Sequence, residues 1–134
     1  MLNRVLLIGR VVKDAEVITT NTGSKIVSFS IAYNRNYQVE GEWRREAHYF
    51  DIKAYGALAS DNGRVNKLTR GTLVYVEGRL AQERWMDKAG ITRSKIRIVA
   101  DIIKPLCVSS GKEPQDEDFD NIENPYGDID FDLR

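Results

Sequence analysis

Residues 48–56, HYFDIKAYG, alternate in polarity with a period of two. Phe50, Ile52 and Ala54 fall on one side of such a strand, and Tyr49, Asp51, Lys53 and Tyr55 on the other. The first side reads as core. The second carries two tyrosines six residues apart, which at about 3.3 Å per residue stand about 20 Å from each other. Lys53 lies between them. Flat rings left in water around a cation suit unpaired bases. A stacked base gains about 1–3 kcal/mol whatever its identity. A cation adds phosphate attraction that is indifferent to sequence and sensitive to salt. Tyrosine suits such a face because water can solvate its hydroxyl.

The other aromatics weigh the same way. Trp85 stands beside Arg84 in QERWMDK, on a predicted hairpin arm. Tyr37 and Trp43 lie in the polar segment 34–46, NRNYQVEGEWRRE, with Arg35, Arg44 and Arg45 nearby. Interleaved rings and cations are a mark of single-strand binding. The competing reading is structural: the tyrosines pack on a neighbouring strand or subunit, and Trp85 packs on its own body.

Other chemistries find less support. Asp116, Glu117, Asp118 and Asp120 could suggest a metal-dependent nuclease, but they fall in a segment expected to be disordered, and metal catalysis needs fixed ligands. His48 is the only histidine and has no Cys or Asp cluster near it in sequence. There is no Gly-rich phosphate loop, no pair of metal-binding cysteines and no nucleophile elbow. A non-enzyme without cofactor is expected. The single cysteine, Cys107, rules out an internal disulfide, and a reducing, cytoplasmic setting follows as the default. No apolar run is long enough to span a bilayer, so no membrane partner is expected. The opening MLNRVLLIGRVVKDAE reads as a strand and not as a signal peptide.

The elements that must position these residues are mostly strands. Residues 3–13 read as a long strand, which 15–20 continue past a bend. NTGSK (21–25) is a turn, and IVSFSIAY (26–33) alternates as a strand. Residues 34–46 read as a polar connection. A third strand covers 48–55. The only helix signal spans 57–70, interrupted at Asp61, Asn62 and Gly63 and ended by Gly71. TLVYVEGRL (72–80) is a strand, 81–95 a hairpin turning near DKAG, and IRIVADIIK (96–104) the last strand, closed by Pro105. Gly9 and Gly78 inside strands mark bulges or bends. Five short curved strands, with one short helix between strands 3 and 4, predict an all-β, five-stranded OB-fold barrel.

Charge divides the chain. The formal net charge is zero, yet residues 1–110 hold 18 basic and 11 acidic side chains, and residues 111–134 hold 2 and 9, a split of +7 against −7. A basic body suggests a polyanion-binding surface. From residue 108 the chain is too acidic and too poor in apolar residues to fold. Two domains follow: a binding domain over 1–107 and an acidic, disordered tail over 108–134. The tail repeats an Asp-Phe-Asp element at Asp118-Phe119-Asp120 and Asp130-Phe131-Asp132, either by chance or as docking knots.

These segments resemble the bacterial single-stranded DNA-binding protein family. NRVLLIGRVVKDAE is similar to its opening strand, HYFDIKAYGALA to its third strand entering the helix, and GTLVYVEGRLAQERWMDKAG to its fourth strand and hairpin arm. The similarity covers about residues 1–105, with a tail alike in kind. The resemblance implies base stacking at Tyr49, Tyr55, Trp85 and Tyr37, and basic contacts from Arg4, Lys53 and Arg84. It further implies a homotetramer, a cytoplasmic, nucleoid-associated setting, roles in DNA replication, recombination and repair, and recruitment of replication and repair proteins by the tail through Phe119, Asp130, Phe131 and Asp132. The chain departs from the family pattern at Asp14-Ala15, where Asp-Pro is common, and around 61–64, where the helix holds a small insertion. Glu83 stands where a basic residue is frequent. The end, DIDFDLR, lacks the usual Pro-Phe and places Arg134 at the terminus.

The first strand is apolar on both sides, Val5, Leu7 and Val11 against Leu6, Ile8 and Val12. A barrel buries one side only, so the other needs a cover, from a second subunit or from the chain's own hairpin. Two further functions stay open: an OB-fold adaptor that mainly contacts proteins, and an RNA binder, since stacking ignores the 2′-hydroxyl.

Overall fold

The structure, a computed structural model, describes residues 1–60 and 62–107. The elements run β1 (Val5–Val11), β2 (Glu16–Thr19), β3 (Lys25–Val39), β4 (Glu42–Tyr55), α1 (Ala57–Ser60), α2 (Asn62–Val65), β5 (Leu73–Met86) and β6 (Thr92–Cys107). The strands form one sheet in the order β1-β5-β6-β4-β3-β2. Pairing of Arg10 with Ala32 and Val11 with Ile31 joins β1 to β3 and closes the sheet into a barrel of five strands. β2 continues the first strand along β3 past the bend expected after residue 13.

Alternation builds the core as the sequence predicts, with one correction: Phe50, on the apolar side of β4, is exposed and lies outside the core. Val27, Phe29 and Ile31 of β3 meet Ile52 and Ala54 of β4, Val74 and Val76 of β5, and Ile98, Ala100 and Ile103 of β6. All are buried. The parallel contact between Ile52 and Ile98 brings β4 against β6, which the chain order alone does not suggest.

Gly9 and Gly78 act at close approaches. A Cβ on Gly78 would lie 2.1 Å from the Val99 carbonyl oxygen, and one on Gly9 would lie 2.7 Å from that of Ala32. At Gly78 the β5–β6 register also shifts, so the bulge expected there is present.

One expectation holds and one needs correction. The interrupted helix signal over 57–70 forms two short pieces, α1 and α2, and Leu58, Ala59, Val65 and Leu68 pack on the barrel core. The chain then returns through hydrogen bonds from Ala15 N–H to the Leu68 carbonyl (2.9 Å) and from Gly71 N–H to the Val11 carbonyl (2.8 Å). The segment 34–46 is not a loop. β3 and β4 stay paired up to Val39 and Glu42, around a turn whose two central residues, Glu40 (φ 51°) and Gly41 (φ 82°), are left-handed. Such turns match the twist of paired strands. The arm lacks an alternating apolar face because it reaches past the core. A second arm, β5–β6, stays paired to Met86 and Thr92. Asp87 fastens its turn by accepting from the N–H groups of Ala89 (3.0 Å) and Ile91 (2.9 Å).

On β1, Val5 and Leu7 pack on the core, whereas Leu6 and Ile8 are exposed. The second apolar side of the first strand is bare in this single chain.

Candidate nucleic-acid interface

β4 holds its inner face by burying Ile52 and Ala54 without residual exposure. That anchoring turns Tyr49, Asp51, Lys53 and Tyr55 outward. Across the sheet, β5 and β6 present Glu83 opposite Lys95 and Trp85 opposite Arg93 on the same side. The rings are open to solvent: Tyr49 is 66% exposed, Tyr55 46% and Trp85 44%. None is consumed by the core.

Between these rings runs a ladder of alternating charge. Lys53 Nζ donates to Glu83 Oε1 at 2.8 Å, and Arg97 Nε donates to Glu83 Oε2 at 2.6 Å. Arg97 also lies 3.7 Å from Asp51 Oδ2, which is paired in turn with Lys95. The other oxygen of Asp51 accepts from the Ser30 hydroxyl at 2.6 Å. The hydrogen bond from Lys95 holds the Asp51 carboxyl below its usual range, and that from Ser30 adds to the effect. Lys53 does the same for Glu83, against partial desolvation, with Arg97 assisting. Beside Trp85, Arg93 Nε donates to Asp87 at 2.8 Å and lowers that carboxyl, with the Ile91 N–H helping. The face is thus an aromatic frame around a cationic but internally paired centre.

Residues 2–106 match the Single-strand binding protein family. The chain belongs to that family. A single-stranded DNA-binding protein of Aquifex aeolicus is 41% identical over 123 residues, covering 91% of this chain and 82% of that one. One from Staphylococcus aureus is 37% identical over 94% of this chain and 74% of its own. Among solved structures, a deletion mutant of the single-stranded DNA-binding protein from Thermus aquaticus superposes with a TM-score of 0.69 at 29% identity, over 78% of this chain and 50% of that one. The Plasmodium falciparum SSB complex with ssDNA shares the fold, with a TM-score of 0.67 at 24% identity, over 81% and 96% of the two chains.

In this member of the single-strand binding protein family, the structure gathers four of the seven nominated residues on one face: Tyr49, Lys53, Tyr55 and Trp85. The other three lie elsewhere. Tyr37 pairs with Arg44 on the opposite side of the β3–β4 arm, and the Arg35 guanidinium sits 5.9 Å from its ring centre. Arg84 points to the other side of β5 from Trp85 and bonds Gln82 at 3.2 Å. Arg4 precedes β1, where it pairs with Glu77 at 2.9 Å and Asp101 at 3.5 Å. Trp43, 58% exposed, falls by alternation on the Tyr49 side. The sequence reading missed Lys95 and Arg97. Their signal was the alternation SKIRI, in which both cations share one side of β6. Phe119, Asp130, Phe131 and Asp132, like the carboxylates at 116–120, lie outside the described residues. Among the described residues, no group of three or more His, Cys, Asp or Glu could hold a metal ion, and no helix is long and apolar enough to cross a membrane.

Proposed function

We propose that this protein binds single-stranded DNA without strong sequence preference and without catalysis. Bases stack on Tyr49, Tyr55 and Trp85, while Lys53, Lys95 and Arg97 attract the phosphates. Trp43, Tyr37, Arg84 and Arg4 extend the path along the two arms and around the barrel. The observation that carries this reading is the exposure of three large rings on one barrel face around a set of cations. Rings of that size seldom face water without a partner, and unpaired bases match their flatness. Family membership supports DNA over RNA. Residues 1–107 form the binding domain and 108–134 an acidic tail that competes for the same face and recruits replication and repair proteins. The exposed Leu6 and Ile8 are covered by further copies of the chain in a homotetramer, which lets several barrels wrap one strand. The setting is cytoplasmic, at the nucleoid.

Fluorescence anisotropy with labelled oligo-dT, duplex DNA and oligo-rU of equal length tests the reading. Tight binding of oligo-dT that neither duplex nor RNA matches is expected. Equal affinity for duplex would refute stacking, because paired bases do not offer their faces.

A further inference from the structure

The cations of the candidate face are already occupied. Glu83 grips Lys53 with one carboxylate oxygen and Arg97 with the other. Asp51 takes Lys95 and the far side of Arg97. Three cations against two carboxylates leave a net of only +1 on this part of the surface. The ladder crosses β4, β6 and β5, with Asp51 and Lys53 between Tyr49 and Tyr55 on β4 and Glu83 two residues from Trp85 on β5. A phosphodiester chain whose bases reach those rings must cross it.

Resting on the single-strand reading, we propose that Glu83 and Asp51 are resident stand-ins for phosphate, which an incoming strand displaces from Lys53, Lys95 and Arg97. The chemistry is an exchange of one oxyanion for another on the same donors. A carboxylate and a phosphodiester present similar paired oxygens to an ammonium or a guanidinium. The ladder is within reach of such exchange, because the side chains of Asp51 and Glu83 keep 28% and 30% of their exposure and pairs open to water hold weakly. Two consequences follow. In the free protein the carboxylates hold three long side chains extended along the strand path. On binding they lower affinity and its salt dependence, since a phosphate seated beside a retained carboxylate is only partly neutralised. Glu83, which holds two of the three cations, thereby sets weaker and more readily reversible binding.

The test compares the full chain with E83Q, D51N and E42Q, titrating oligo-dT at several salt concentrations. Melting followed by circular dichroism confirms that each variant is folded. E83Q alone decides if D51N loses its fold with the Ser30 contact. E83Q and D51N are expected to bind several-fold more tightly at low salt. Their plots of log affinity against log salt should be steeper by about 0.7 each, the increment for one further phosphate neutralised on a single strand. E42Q removes the same charge at the tip of the β3–β4 arm and controls for net charge alone. Gains no larger than that of E42Q, with an unchanged slope, overturn the proposal while leaving single-strand binding intact. Failure of the unmodified chain to bind oligo-dT overturns both.

Discussion

At the scale of residues, the rings and the charges do separate work. Single-strand binders, this family among them, gain about 1–3 kcal/mol for each stacked base. Tyr55→Ala and Trp85→Ala are therefore each expected to weaken oligo-dT binding by about that amount, measured by titration at fixed salt. Neither ring packs in the core, so melting temperatures should hardly change. Losses within error at both positions would contradict stacking there. Gly78 carries the opposite kind of burden. In Gly78→Ala the new methyl meets the Val99 carbonyl oxygen at 2.1 Å. Overpacking of this kind costs about 1–3 kcal/mol or more, so thermal denaturation should show a clear drop. A melting point equal to that of the parent would mean that β5 and β6 separate more easily than their pairing implies.

At the scale of elements, the two arms and the β4–β6 seam decide the face. The seam is held by carboxylates whose folded pKa values are lowered, Asp51 and Glu83, and the β5–β6 turn by a third, Asp87. A lowered carboxylate contributes its full stability above the ordinary carboxylate pKa. The contribution is lost as pH falls below that range and through the folded value. Melting temperatures measured down an acid series should therefore fall from about pH 4, and the fall should be shallower in D51N. An unchanged acid profile in D51N would deny the ladder a part in stability. The sequence made some of this legible and hid the rest. β4 was readable because Ile52 and Ala54 are buried and betray the alternation that exposes Tyr49 and Tyr55, although Phe50, expected with them in the core, is exposed. Trp85 was readable from its arm and its turn. The β3–β4 arm at 34–46 was not, since it extends past the core and both its sides are polar; only Glu40-Gly41 marks it as a hairpin. The ladder was hidden for a different reason. It depends on β4 lying parallel to β6, a contact between distant parts of the chain that exists only once the barrel has closed. By the same token, Arg84 and Tyr37 look like neighbours of the site in sequence, while alternation sends them to the far side.

At the scale of the whole molecule, the bare β1 face bears on the proposed homotetramer and the acidic tail on the proposed competition for the binding face. Leu6 and Ile8 side by side in water would disfavour a lone subunit. Leu6→Glu combined with Ile8→Glu is expected to shift sedimentation from a tetramer to smaller species and to shorten the stretch of DNA covered per complex. Sedimentation identical to that of the parent would place the interface elsewhere. Removal of residues 108–134, which carry a net charge of −7, should raise low-salt affinity. Equal affinity with and without them would show that the tail does not compete for the face.

The most direct measurement follows the exposed ring on the β5–β6 arm. In Trp43→Phe, Trp85 is the only tryptophan, so its fluorescence during titration with oligo-dT reports on one contact. Saturable quenching that tracks binding, and that duplex DNA does not reproduce, is expected if bases lie against the ring. Emission that stays constant while anisotropy shows the oligonucleotide bound would contradict base stacking at Trp85 and move the strand to another part of the barrel.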